Sequence, residues 1–156
     1  DEILAPPGSR VAEGEALLGW LNCTVRLSSP SPFNADALLL ALGRTIRDRI
    51  DSAGGEIAHL KMTLDGGDVM GKLSVVSLVR SDSECELRES LPDEIAGGSL
   101  VLNLRAETSP EYLRELVEQS LSALEGGHGI HASIEHIESF RPGKPEPTHR
   151  MATADA

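Results

Sequence analysis

Residues 99–137, SLVLNLRAETSPEYLRELVEQSLSALEGGHGIHASIEHI, decide the fold. Residues 99–107 alternate apolar and polar side chains, which is typical of a strand with one buried face. A Ser-Pro pair at residues 109–110 then predicts the start of a helix, whose apolar side chains repeat with a period of about 3.6 residues. A Gly-Gly pair at residues 126–127 predicts the end of this helix, and residues 130–137 predict another strand.

The same order of elements occurs earlier in the chain, at residues 20–64. Residues 18–27 alternate and predict a strand, and a Ser-Pro pair at residues 31–32 predicts a helix that runs to about residue 53. A Gly-Gly pair follows, and residues 56–64 predict the next strand. The chain therefore contains an internal repeat of strand, capped helix and strand.

Two further segments lie between the repeats. The run Asp65-Gly66-Gly67-Asp68 predicts a turn, although its carboxylates could also hold a cation, and residues 72–80 predict a strand after it. Residues 81–98 are polar and predict a mostly irregular crossing, in which residues 86–91 could add a short edge strand.

Each repeat is a split βαβ unit that cannot bury the apolar side of its helix alone, so the two units must interleave. The right-handed crossover rule then places both helices on the same side of the sheet. The sequence predicts an α+β fold, a ferredoxin-like split βαβ sandwich with an antiparallel five-stranded sheet and two helices on one face. The predicted sheet order is 3-2-4-1-5 in chain order of the strands. The domain spans residues 18–140, between a polar arm or linker at 1–17 and an extended Pro-rich tail at 141–156.

Composition argues against two classes of partner. The 156 residues include 14 Lys and Arg against 25 Asp and Glu, and this net charge of −11 has the wrong sign for a nucleic-acid backbone. Aromatic residues make up 3%, too few for a base-stacking platform. No apolar run of about 18 residues occurs, so we expect no membrane partner.

The cytoplasm is the expected compartment, because the first residues lack the basic start and apolar run of a signal peptide. The chain opens with Asp1 rather than Met, so we expect either a piece of a longer protein or a protein whose first residues are missing from this sequence. It lacks the motifs of nucleotide binding and of hydrolase nucleophiles, and we expect no enzyme activity. Cys23 is expected to be a core thiol, and Cys85 a thiol whose pKa is raised by neighbouring acidic residues.

Side chains that point away from the predicted helices collect on one face of the sheet. Arg26, Lys61, Asn103 and Arg105 belong to this face, where the cationic side chains could bind an anionic ligand or a protein partner. Polar side chains are also normal on a solvated sheet face, or on a face that another domain or a second copy covers. The residues leave these alternatives open.

Five histidines raise the question of a metal, although the ligand spacings H-x-x-x-H and C-x-x-C do not occur. Strand alternation places His131 and Glu135 on one side and His136 on the other. His59, His131 and Glu135 could thus form a weak divalent-metal site, with surface or interface histidines as the alternative. We expect no other cofactor in this chain.

The end of the chain combines prolines with basic residues. Residues 141–150 contain three basic residues and one acid, and their prolines favour an extended conformation. The segment is either a disordered terminus or a strap that docks on an acidic surface. The residues of this predicted docking tail are Phe140, Arg141, Lys144, His149 and Arg150.

Four segments together resemble a known family. HLKMTLDGGD at 59–68, GKLSVVSLVRSD at 71–82, SLVLNLRAE at 99–107 and HIESFRPGKPEPTHR at 136–150 are similar to the C-terminal region of CobW-type GTP-binding proteins. Those proteins are linked to cobalamin synthesis and to metal delivery, and the resemblance covers roughly residues 19–150. In that family a P-loop GTPase domain precedes a smaller α+β domain, and no nucleotide-binding or Cys-rich metal motif of the GTPase domain occurs in this chain.

The resemblance implies a non-enzymatic accessory domain of a CobW-type GTPase, with a docking, regulatory or oligomerisation role. Its expected partner is the upstream GTPase domain. Because a split βαβ sheet leaves its helix-free face and an edge strand uncovered, we also expect a two-fold homodimer formed through the sheet face or edge, with residues 140–150 packed across it or onto the upstream domain. The alternative is a stand-alone ferredoxin-like protein that uses the open face to bind a small anion or to catalyse a reaction. In that alternative Arg26, Lys61 and Arg105 hold the anion, and His59 or Glu135 moves a proton.

Overall fold

The computed structural model describes residues 18–67, 70–80 and 82–143. The fold of these residues is α+β, with two helices and six strands. In chain order the elements are β1 Gly19–Phe33, α1 Ala35–Ser52, β2 Ile57–Asp65, β3 Leu73–Leu78, β4 Glu86–Glu89, β5 Ile95–Ala106, α2 Pro110–His128 and β6 His131–Phe140. The predicted arm and most of the predicted tail lie outside the described residues.

All six strands form one antiparallel sheet in the order β4-β3-β2-β5-β1-β6. The prediction of five strands was wrong, because β4 is added at one edge, where Leu87 lies opposite Val76. All four residues of β4 are exposed, so the segment has no buried face that would mark it firmly as a strand. The other five strands follow the predicted order.

The start of α1 differs from the prediction of a Ser-Pro cap at residues 31–32. β1 continues to Phe33, and Asn34 caps the helix by accepting a hydrogen bond from the backbone N–H of Ala37 at 2.7 Å. Asn is among the strongest N-cap residues, and Asp36 in the first turn adds a favourable interaction with the helix dipole. The two prolines of this region therefore lie in extended backbone.

The second helix begins as predicted and ends later than predicted. Ser109 accepts a hydrogen bond from the N–H of Tyr112 at 3.1 Å, and Pro110 occupies the first helical position. The helix passes through Gly126 and Gly127 and ends at His128, and the following Gly129 is its C-cap, with the left-handed φ of 70°. A glycine weakens a helix interior only moderately, so the adjacent pair does not stop it.

The core lies between the sheet and both helices. One alternate set of side chains from β1, β2 and β5 packs against the apolar sides of α1 and α2, and these residues form a single buried cluster. Cys23 belongs to the cluster as predicted, with 1% of its surface exposed. The members of the cluster include Leu21, Leu27, Leu39, Ile46, Leu60, Met62, Leu100, Leu102, Leu104, Leu113 and Leu121. In the described part of the chain no element covers the opposite face of the sheet, which is therefore left to the polar alternate set.

The carboxylate of Asp36 in α1 links this helix to β3 and to the segment that follows β4. Asp36 accepts hydrogen bonds from the hydroxyl groups of Ser74 (2.6 Å) and Ser90 (2.5 Å) and from the backbone N–H of Leu91 (3.0 Å). Burial alone would raise the pKa of Asp36, but these three hydrogen bonds outweigh it and lower that pKa below its ordinary value. The carboxylate thus joins α1 to β3 and to the segment after β4.

Candidate functional site

The candidate site is the sheet surface opposite the helices, formed by β2, β5, β1 and β6, which we call the open face. Pairing between the strands aligns its outward side chains in four rows across the sheet. Row one is His59, Arg105, Trp20 and Phe140, and row two is Lys61, Asn103, Asn22 and Glu138. Row three is Thr63, Val101, Thr24 and His136, and row four is Asp65, Ser99, Arg26 and Ser133.

Row one is a cluster of cationic and aromatic side chains. The guanidinium carbon of Arg105 lies 4.5 Å from the centroid of the Trp20 ring, within the range of a cation–π contact. The Phe140 ring lies on the other side, with 5.9 Å between the two ring centroids and 46° between their planes. Arg105, Trp20 and Phe140 therefore form a continuous surface across β5, β1 and β6.

Two polar atoms of row one are buried without a hydrogen-bond partner among the described residues: Trp20 Nε1 and His59 Nδ1. Unpaired buried polar atoms are rare in folded proteins, because each forgoes the hydrogen bond it made with water. Burial lowers the pKa of His59, and the positive charges of Arg105 and Lys61 lower it further. Both effects favour the neutral form of the His59 ring.

Row two is a directed chain of hydrogen bonds. The Asn103 side-chain amide donates to Asn22 Oδ1 at 2.8 Å, and the Asn22 amide donates to Glu138 Oε2 at 3.0 Å. Lys61 stands at the opposite end of the row and forms no salt bridge within the described ranges. The row has a cation at one end, an anion at the other and two aligned amides between them.

The structure separates the predicted anion-binding residues. Arg26 and Arg105 lie on antiparallel neighbours, so similar positions in the two repeats fall at opposite ends of the open face. Ser99, the partner of Arg26, lies six positions before Arg105 in β5, which is about 20 Å in an extended strand. Lys61 and Asn103 are direct neighbours, one row from Arg105 and two rows from Arg26. The four residues share a surface and do not converge on one small anion.

Glu135 forms a β-bulge that corrects the predicted orientation of His136. Thr24 pairs with His136 and Val25 pairs with Ile134, so Glu135 is an extra residue in β6. The bulge places His136 on the open face, with 3.6 Å between His136 Nε2 and Glu138 Oε1. Simple alternation had predicted the opposite side of the sheet for His136. Glu135 itself lies 3.8 Å from Arg26 across half-exposed surface, a weak ion pair.

The residues of the predicted metal site lie apart. His59 belongs to row one on β2, whereas His131 on β6 pairs with Ser28, beyond row four. On β1 these two levels correspond to Trp20 and Ser28, eight positions and about 27 Å apart along the sheet. His131 instead faces Glu125, with 3.4 Å between Nδ1 and Oε1. Across residues 18–67, 70–80 and 82–143, no three His, Cys, Asp or Glu side chains are grouped to hold a metal.

A cleft of about 440 Å³ that the sequence did not predict lies at the row-four end of the sheet. Arg26, Asp65 and Ser99 line it together with two glycine pairs, at residues 66–67 and 97–98. A side chain at Gly97 would come within 2.6 Å of the Leu27 carbonyl oxygen, and one at Gly98 would collide with that of Asp65. The two glycine pairs were the feature of the sequence that could have indicated this cleft. Close backbone packing accounts for the pair at residues 97–98.

The turn at residues 65–67 is explained without a cation. Asp65 Oδ1 accepts a hydrogen bond from the N–H of Gly67 at 2.8 Å, and Gly67 has a φ of 85°. The partner carboxylate proposed from sequence, Asp68, lies outside the described residues.

Neither thiol is activated. Burial raises the pKa of Cys23 to about 11, and Glu118 adds to that effect. The pKa of Cys85 is also raised, as expected, but burial is the main cause and the acidic neighbours contribute less. Arg47 and Arg44 oppose the increase.

Of the predicted docking tail, the structure describes Phe140 and Arg141. Phe140 closes row one beside Trp20, and Arg141 is exposed immediately after β6. Lys144, His149 and Arg150 lie outside the described residues.

Among the described residues, neither helix combines the length and apolar character needed to cross a membrane. Comparison of the chain with protein-family models, with curated proteins and with solved structures finds no match. The resemblance to the C-terminal region of CobW-type GTPases therefore stays a prediction, and the open face is the site from which a function must be argued.

Proposed function

We propose that this chain is a non-enzymatic docking domain, and that the open face is the surface it presents to another protein. The cluster of Arg105, Trp20 and Phe140 is the observation that carries the proposal. Trp and Arg are the residues most often responsible for binding energy at protein interfaces, and here they lie together on a face without a covering element in the described part of the chain.

The charge distribution supports the same function. The open face carries three cations, Arg26, Lys61 and Arg105, and three anions, Asp65, Glu135 and Glu138, whereas the chain as a whole has a net charge of −11. A surface with balanced charges can approach another protein without the repulsion that the rest of the chain would cause. Val101, 37% exposed, adds an apolar contact near the middle of the face.

The spacing of the cations favours docking over the alternative of a small-anion or catalytic site. A small anion needs donors that converge within hydrogen-bond distance, and Arg26 lies about 20 Å from Arg105 along the sheet. His59 and Glu135, the candidate proton carriers, are also apart, since His59 lies in row one on β2 and Glu135 is the bulge residue of β6 between rows three and four. A broad protein surface can contact all of these groups at once.

The topology supports a ferredoxin-like fold for this domain. β1 and β2 are parallel on either side of β5, α1 and α2 follow β1 and β5, and β6 lies outside β1, as in a split βαβ sandwich. In this proposal β3 and β4 are an addition at the β2 edge. The resemblance to CobW-type proteins suggests an accessory role beside a GTPase domain in metal or cobalamin handling.

Photo-crosslinking tests the docking function. A photoreactive amino acid in place of Val101 on the open face should give protein adducts in cells of the source organism. The same group in place of Ala123, exposed on α2, is the matched control and should give none. An adduct at twice the 16.6 kDa mass of the chain indicates a second copy, and another mass indicates a different protein, such as a GTPase domain. Equal labelling at both positions, or none at Val101, would refute a docking face.

A further inference from the structure

We propose that the open face docks on the open face of a second copy, with a two-fold axis that runs parallel to the strands between β5 and β1. This inference rests on the proposed docking function and specifies its partner. The order of charged, amide and aromatic groups within the rows carries it.

Such an axis exchanges the strands in a fixed way. β5 of one copy lies over β1 of the other, and β2 lies over β6, while each row stays at its own level along the sheet. Each row therefore lies opposite the same row of the second copy, with the residues in reverse order. Two sheets that pack face to face with their strands nearly aligned are a common arrangement in proteins.

Row two is complementary to itself under this operation. Lys61 of each copy lies opposite Glu138 of the other, and Asn103 lies opposite Asn22. Lys61 thereby gains the carboxylate that it lacks within the described part of one chain, and it does so twice because the interface is symmetric. The amides between them can donate and accept across the interface.

The other rows fit the same axis. In row one, Arg105 lies opposite Trp20 and His59 opposite Phe140, so two cation–π pairs meet around the axis. Row three places Val101 opposite Thr24. In row four, Arg26 faces Ser99 and Asp65 faces Ser133. Within the four rows, no two like charges lie directly opposite each other.

An axis across the strands would be less complementary. It would exchange row one with row four and row two with row three, so Lys61 would lie opposite Thr63 and Glu138 opposite His136. Lys61 would then remain without an acid, and the chain of amides would meet Val101 and Thr24.

The area indicates a weak dimer. Four strands about 4.8 Å apart and a length of about 27 Å give roughly 500 Å² of flat surface per copy, or about 1,000 Å² in total. Stable interfaces bury about 1,200–2,000 Å², so we expect a reversible dimer in the micromolar range.

Sedimentation velocity on the intact chain tests the pairing through charge reversal. The unaltered chain should move from monomer to dimer between about 1 and 500 μM. Lys61→Glu and Glu138→Lys should each weaken dimerisation at least tenfold, since each places like charges together twice. A 1:1 mixture of the two variants should restore the dimer, because both facing pairs then have opposite charges.

Lys72→Glu and Glu115→Lys are matched controls, since both residues are exposed and lie outside the four rows. They should leave dimerisation unchanged, and thermal unfolding should show that every variant is folded. A wild-type chain that stays monomeric at 500 μM overturns the dimer, while an adduct from Val101 with another protein would still support docking. If the unaltered chain forms a dimer and the 1:1 mixture of the two variants does not, this axis is wrong.

Discussion

Asp36 is the residue whose removal should have the clearest effect on stability. Its carboxylate accepts three hydrogen bonds, from Ser74, Ser90 and the Leu91 backbone. We expect Asp36→Ala to lower the free energy of unfolding by about 2 kcal/mol at pH 7, since hydrogen bonds to charged groups contribute about 1.5–3 kcal/mol. Urea unfolding measures the change, and Asp51→Ala, at an exposed position near the end of α1, is the control that should change it little.

The same carboxylate predicts a pH dependence. The pKa of Asp36 is lower in the folded chain than its ordinary value, so its contribution is fully present above the unfolded pKa and is lost as the pH falls through the folded pKa. Wild-type stability should therefore fall below about pH 4. Asp36→Ala should lose less stability over that interval, and parallel acid profiles of the two proteins would disprove this linkage.

At the scale of the element, the bulge in β6 can be tested by deleting one residue. Without Glu135, His131, Ser133, His136 and Glu138 would follow a regular alternation on the open face. We expect this deletion to change the free energy of unfolding by less than about 1 kcal/mol, because it restores a regular ladder between Thr24 and Val25.

Deletion of Ser133 is the matched control in the same strand. It would move His131 to the inward position of Ala132, opposite the buried Leu27, and would turn Ala132 outward. A polar ring in that position should cost about 2 kcal/mol or more. Chemical denaturation of both deletion variants provides the comparison, and equal losses would mean that the bulge does not act as an inserted residue.

For the molecule as a whole, sequence patterns predicted the elements with a buried face and missed features that depend on register. The alternation around Leu21 and Leu102 marks strands because a hydrophobic core requires it. β4 has no buried residue, so its pattern could only suggest an edge strand. The end of α2 depended on which of Gly126, Gly127 and Gly129 adopts a positive φ, and of these three it is Gly129.

The candidate site was predictable as a surface and not as a set of contacts. Arg26, Lys61, Asn103 and Arg105 do share the face that alternation assigns to them. Which residues become neighbours depends on strand pairing, and a single extra residue, Glu135, changes the side on which His136 lies. The contact of Arg105 with Trp20 follows from the register of β1 and β5, which no local pattern specifies.

The position of β5 between β1 and β2 has a consequence for biosynthesis. β1 and β2 are synthesised first, yet neither pairs with the other, and the strand that joins them ends only at Ala106. Because closing this sheet needs contacts between residues far apart in the chain, a nascent chain cannot form it from the first repeat alone. Force-sensitive arrest of ribosome-bound chains of increasing length should show no folding until residue 106 has left the exit tunnel. A folding signal from chains that end before Ile95 would mean that the first repeat is stable without its central strand.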